Sequence, residues 1–129
     1  MDTIGDFLTR IRNAAAANHE KVDIPASNMR QGIAKVLQNS NYIDSFKVVK
    51  DGKQGIMRVF LNYKTDGKPS MEKIKRVSKP SRRTYVKSSE IPNVREGYGL
   101  AVLSTSKGVI SGGEAKKLNV GGELLCMIW

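Results

Sequence analysis

Thr65-Asp66-Gly67-Lys68-Pro69 separates two kinds of sequence, and the fold is read from what lies on each side of it. Its Gly and Pro, preceded by Thr and Asp, are turn formers. Upstream, Ile4, Phe7, Leu8 and Ile11 stand at i, i+3, i+4 and i+7, which predicts an amphipathic helix running to about Ala16 or Ala17. Thr3 and Asp6 have the spacing of a capping-box variant. Residues 21–24 alternate and stop at Pro25, as a short strand does. Ser27 then offers an N-cap to a second helix with Met29, Ile33, Val36 and Leu37 inward. Residues 46–49 and 56–63 read as strands joined through Asp51-Gly52-Lys53-Gln54-Gly55, a connection of hairpin length. The order αβαββ predicts a small lobe with both helices on one face.

Downstream, helical periodicity disappears. Short β-like runs at residues 71–77, 84–87, 100–104 and 109–110 alternate with Pro80, Pro92, Gly97 and Gly99. A short helix is expected at 113–118 and a final apolar strand at 122–129. The expectation is an α+β protein of two small packed lobes, residues 1–66 forming an N-terminal α/β lobe and 67–129 a mostly β lobe with one short helix.

The chain has 129 residues, 40% of them hydrophobic, which is enough for a core. Its 22 Lys and Arg against 12 Asp and Glu leave a formal charge of +10, a self-repulsion that a polyanionic partner relieves. Nucleic acid is the first candidate. Charge alone separates RNA neither from DNA nor from an anionic membrane, and a surplus kept for solubility is the plain alternative. The single cysteine, Cys126, lies in an apolar run, so neither an intramolecular disulfide nor a cysteine metal site is expected, and a reducing compartment fits. The acidic start lacks the features of a secretory signal. No stretch approaches the ~20 apolar residues of a membrane span, so a cytosolic protein is expected.

Three constellations could carry chemistry. Between residues 73 and 87 stand Lys73, Lys75, Arg76, Lys79, Arg82, Arg83 and Lys87 with no acid among them. Each such charge placed on a phosphate releases counterions, giving affinity that is salt-dependent and largely sequence-blind. Tyr85, inside the cluster, either stacks on an unpaired base or covers the core. Ser104-Thr105-Ser106-Lys107-Gly108 offers hydroxyls, free amides and a Lys to phosphates, 2′-hydroxyls and base edges; as an anonymous pattern it is also an ordinary turn. It lacks the glycines and residue order of a P-loop. Gly121-Gly122-Glu123 is the weakest of the three: Glu123 either accepts from a base edge or merely caps a strand.

For catalysis the inventory is thin. His19 sits beside Glu20 in a polar turn with no nucleophile near it in sequence, and the acids are scattered singly. Neither enzyme activity nor a cofactor is expected.

Several ordered motifs resemble a known family, the eighth protein of the small ribosomal subunit in its bacterial form. They are Asp6-Phe7-Leu8-Thr9-Arg10-Ile11-Arg12-Asn13-Ala14, Arg76-Val77-Ser78-Lys79-Pro80, Gly97-Tyr98-Gly99-Leu100-Ala101-Val102, Ser104-Thr105-Ser106-Lys107-Gly108-Val109 and Gly121-Gly122-Glu123-Leu124-Leu125-Cys126. The resemblance covers the whole chain. It implies a structural constituent of the small subunit that binds a stem in the central domain of small-subunit rRNA, organises that domain during assembly, and in bacteria can repress translation of its own operon mRNA. It implies a main RNA surface made by Ser104, Thr105 and Ser106 with Tyr85 and Glu123; the adjoining Lys107, Gly108 and Gly122 belong to the same two motifs, and charge adds Lys73, Lys75, Arg76, Lys79 and Arg83 as the cations that attract and orient the stem. A lesser contact would come from Thr3, Arg10 and Asn13. The fifth and twelfth small-subunit proteins are the implied neighbours, with the chain a monomer in the particle. Two departures stand out. Ser81 and Arg82 replace a frequent Gly and hydrophobic pair, and Ile110-Ser111-Gly112 replaces Met-Thr-Asp, which moves the expected N-cap of the last helix to Ser111.

An A-form stem hides its major-groove edges, so a specific protein must grip the minor groove or an irregular segment. A compact hydroxyl loop suits that task. A DNA-binding module is the alternative from another class, but the second helix carries only Arg30 and Lys35 and makes a poor recognition helix. A nucleic-acid-processing enzyme would have to act through Glu123 or His19.

Overall fold

The structure, a computed structural model, describes residues 2–129; Met1 lies outside the described residues. The chain forms two compact units, Thr3–Glu72 and Asp2 together with Lys73–Trp129.

In the first unit α1 (Thr3–Ala16) buries Ile4, Phe7, Leu8, Ile11, Ala14 and Ala15, the stripe expected from the spacing. Thr3 is already helical, so the expected Thr3/Asp6 capping box is not formed; Asp6 instead pairs with Arg10 one turn on, at 3.2 Å. After β1 (Lys21–Pro25), α2 (Asn28–Asn39) starts at Ser27, whose hydroxyl accepts from Arg30 N. Its buried face is Arg30, Ile33, Ala34, Val36 and Leu37, with Met29 only half-buried. Arg30 shares a face with Ile33, Ala34 and Leu37. Its stem is therefore buried while the guanidinium donates to the carbonyls of Pro25 at 2.8 Å and Thr3 at 3.4 Å.

The sheet of this unit runs β1-β3-β2, antiparallel throughout, with β2 at Ile43–Val49 and β3 at Ile56–Leu61. Asp51 shapes the β2–β3 turn by accepting from the amides of Lys53 and Gly55 at 2.9 and 3.0 Å. Ile24, Ile43, Met57 and Val59 are its buried residues. β3 ends before Tyr63 because the chain turns back on itself: Lys64 N donates to Lys68 O, Ser70 N to Asn62 O, and Lys64 pairs with Glu72 at 2.6 Å. These bonds keep residues 67–72 with the first unit, although the turn itself falls at 65–69.

In the second unit β8 (Gly122–Ile128) is the central strand. It pairs with β6 (Leu100–Thr105) on one side and, on the other, with both β4 (Ile74–Arg76) and β5 (Tyr85–Val86); β7 (Gly108–Ser111) continues the sheet beyond β6. The long strand expected at 71–77 shrinks to β4, because β4 meets β8 only at residues 126–128 while β5 takes the place opposite residues 122–123. Ser111 caps α3 (Gly112–Leu118), accepting from Glu114 N at 3.2 Å, and Asn119 ends it in the left-handed conformation. The core is Ile91, Val94, Ala101, Leu103, Ile110, Ala115 and Leu124, with Val86, Met127 and Trp129 packed against it. The Arg95 guanidinium lies 5.1 Å from the centre of the Trp129 ring, so Trp129 covers this core and is not a bare edge.

A single irregularity in this sheet sets which way the residues of β8 face. Val102 pairs with Cys126 but the next residue, Leu103, pairs with Leu124, so Leu125 is an extra residue on β8. The bulge resets the alternation of the strand. Met127 and Leu124, three apart, both face the α3 core, and Glu123 is turned to the opposite side.

Cys126 is fully buried, and burial pushes its thiol up to about 12. At pH 8 its thiolate fraction is on the order of 10⁻⁴, against roughly a quarter in an exposed chain. A thiol reagent should therefore label the native protein about a thousandfold more slowly than the denaturant-unfolded chain. Equal rates would mean that β8 opens readily.

Candidate nucleic-acid interface

Residues opposite one another on paired strands point their side chains to the same face. Tyr85 of β5 stands opposite Glu123 of β8, Glu123 opposite Ser104 of β6, and Ser104 opposite Val109 of β7. Four strands thus lay one row across the sheet, on the face away from the α3 core. Along that face Val102 and Cys126 are buried, Ser104 and Glu123 half-buried, and Tyr85 is 70% exposed. Tyr85 does not cover the core; its neighbour Val86 does.

The β6–β7 hairpin turns through Ser106 and Lys107, with Thr105 paired to Gly108. The Thr105 hydroxyl accepts from Lys107 N at 3.0 Å and donates to Gly108 O at 2.9 Å, and Gly108 takes a φ of +98° that a side chain would resist. Thr105 therefore builds the turn, and Ser104 and Ser106 are the hydroxyls left to a partner: neither makes a side-chain hydrogen bond among the described residues. Ser106, Lys107 and Gly108 are exposed.

Behind the row stands a short turn. Lys79 and Arg82 exchange backbone hydrogen bonds around Pro80 and Ser81, leaving Lys79 and Arg82 exposed. Arg83 reaches back to Glu123, Nη1 to Oε2 at 2.9 Å. Ser78, with no exposed surface, donates to the same oxygen at 2.5 Å. Arg76 differs from its neighbours in the cluster. It donates Nε and Nη2 to the Asp2 carboxylate at 3.2 Å and Nη1 to Leu125 O at 2.6 Å, with only 11% of its side chain exposed. Its guanidinium is engaged inside the second unit, so a phosphate contact there would compete with these bonds. Lys73 and Lys75 are exposed on and beside β4.

Gly122 is required by packing. A Cβ there would overlap the Ser104 carbonyl oxygen, and one on Gly121 would overlap that of Val86. Thr3, Arg10 and Asn13 are all exposed and, spaced 7 and 3 residues apart, share one face of α1 in the first unit. Sequence reasoning missed Ser78, because a serine among basic residues carries no mark of burial, and Arg30, because an arginine at a helical face is ordinarily solvated. Among the described residues, no group of three or more His, Cys, Asp or Glu side chains could hold a metal ion, and no helix is long and apolar enough to cross a membrane.

Comparison with known proteins identifies the family. A family model described as ribosomal protein S8 matches residues 2–129. The chain is 58% identical over 129 residues to the small ribosomal subunit protein uS8 of Bdellovibrio bacteriovorus, covering 100% of both chains. It is 53% identical over 128 residues to the uS8 protein of Geotalea uraniireducens, covering 99% of this chain and 97% of that one. With the uS8 protein of Streptococcus sanguinis the identity is 47% over 128 residues, with the same coverage.

Proposed function

Since the chain belongs to the ribosomal protein S8 family, and is thereby a structural constituent of the small ribosomal subunit, we propose that it binds a stem in the central domain of small-subunit rRNA and helps that domain assemble. The observation that carries this reading is the register: Tyr85, Glu123 and Ser104 lie in one row on three adjacent strands, beside the hairpin tip at Ser106 and Lys107. A partly exposed face with an aromatic ring, an acceptor and free hydroxyls suits an irregular stem whose bases and 2′-hydroxyls are accessible. It has little to offer the deep major groove of a regular duplex.

The labour divides by chemistry. Lys79, Lys107 and Arg82 are exposed cations that attract phosphates; Ser104, Ser106 and Tyr85 recognise shape and base faces. Thr3, Arg10 and Asn13 offer a lesser contact from α1. Recognition by shape also supports repression of the chain's own operon mRNA, since any transcript folded like the stem would compete for the same face. The fifth and twelfth small-subunit proteins are the proposed neighbours, and the chain acts as a monomer within the particle, without catalysis.

The test compares binding to a transcript of the central-domain stem of the organism's own rRNA with binding to a regular RNA duplex of equal length, over a range of salt. A preference for the stem at every salt concentration is expected. Lys79→Ala should weaken both complexes by a similar factor, below about tenfold, and make the salt slope shallower by about one. Equal affinity of the wild-type chain for stem and duplex would sink the proposal.

A further inference from the structure

We propose that Ser78 and Arg83 are positioning residues that make Glu123 a reader of base N–H donors; the inference rests on the RNA-binding reading. A carboxylate on a protein of charge +10 that meets RNA is a liability, because a bare one repels phosphate. Glu123 is not bare. Ser78 Oγ and Arg83 Nη1 both engage Oε2, at 2.5 and 2.9 Å, and Oε1 has no partner among the described residues.

Ser78 can do this because its hydroxyl has one proton and nowhere else to direct it. Thr84 N donates to Ser78 Oγ at 3.0 Å, which uses the oxygen as acceptor and leaves its proton for Glu123. The backbone is held as firmly: Ser78 N donates to Leu124 O and Leu124 N to Thr84 O, each at 3.0 Å. Ser78 is thus locked to β8 next to the residue it orients, and it is wholly buried. Arg83 offsets the charge from the solvent side, with 49% of its side chain exposed against 16% for Glu123.

The result is one presented acceptor, Oε1, in the same row as the exposed Tyr85 ring and the Ser104 hydroxyl. A base stacked on Tyr85 lies with its edge toward Glu123. The group that such an acceptor selects is an amino or imino N–H of that base, whereas a phosphate or a base carbonyl is rejected.

Glu123→Gln gives the sharpest test, because it changes the chemistry at constant volume. Ser78 and Arg83 both donate, so the glutamine carbonyl must stay with them and its NH₂ must face outward, setting donor against donor. The expected result is a loss of about 10- to 100-fold in affinity for the central-domain stem transcript, with no loss for a regular RNA duplex, whose sequence-blind binding the removal of one negative charge can only strengthen. Ser78→Ala should cost several-fold in stem affinity in the wild-type background and nothing further in a Glu123→Ala background, as non-additivity within one network requires. Melting temperatures of all variants, and their affinity for the duplex, control for a loss of fold. If Glu123→Gln lowers stability but binds the stem as tightly as wild type, or if Ser78→Ala and Glu123→Ala add independently, Glu123 is a structural residue and the inference falls. If the wild-type chain itself does not prefer the stem, the RNA-binding reading falls first and takes the inference with it.

Discussion

Alanine at Ser104, Thr105 and Ser106 together is expected to abolish the preference for the central-domain stem while leaving the protein folded. Two effects combine. Ser104 and Ser106 lose hydroxyls that are free for a partner, and each lost hydrogen bond costs about 0.5–1.5 kcal/mol, more where an RNA group is left desolvated and unpaired. Thr105 loses both bonds that close the turn, to Lys107 N and Gly108 O, so the tip no longer holds one shape. The sum is about 2–4 kcal/mol, roughly 30- to 800-fold in affinity, with little change in the salt slope because no cation is removed. The single variants separate the causes. Ser106→Ala should cost a hydrogen bond with the turn intact, whereas Thr105→Ala should also raise amide exchange at Lys107. Filter binding or titration calorimetry reads the affinities, and stem binding that survives the triple substitution would remove the loop from the recognition surface.

Gly122→Val should be the most damaging single substitution in the sheet. Gly122 pairs with Thr105 of β6, and its Cβ would overlap the Ser104 carbonyl oxygen and stand 3.1 Å from both Ser104 C and Thr105 Cα. These are backbone atoms of a paired strand, which cannot rotate away as a side chain could. Either β6 and β8 separate, breaking the pairs Ser104–Glu123 and Thr105–Gly122, or the strain is stored. Overpacking against fixed neighbours costs about 3 kcal/mol here, which corresponds to a fall in Tm of roughly 10 °C. Stem binding should fall with it, since the displaced residues are those of the row. A thermal melt showing no change would mean that the strands are less tightly apposed than their register implies.

Much of the fold is legible because it is written locally. The stripe of α1 and the Ser27 and Ser111 caps each depend on residues within a turn or two of one another, and each is found as expected. The Asp51-to-Gly55 turn is equally local, being closed by Asp51 itself. The features that escape such a reading are non-local. The strand expected at 71–77 is too long because its sequence does not reveal that β8 gives residues 122–123 of that edge to β5. Arg76 reads as one cation among seven because its partner, Asp2, lies 74 residues away. The loop at 104–108 is visible as a motif, but which of its hydroxyls are engaged in the turn is not.

The helices, the caps, the turn chemistry and the basic character of the surface follow from periodicity, from side chains that bond their own backbone, and from charge, none of which needs a distant partner. That Tyr85, Glu123 and Ser104 form one row follows instead from the folded sheet. Their alignment depends on strand register, and register depends on the single extra residue at Leu125 that turns Glu123 away from the core and leaves Leu124 within it. Side-chain direction alternates with every residue along a strand, so a bulge of one residue reverses which groups meet a partner, and no local pattern records where that reversal occurs.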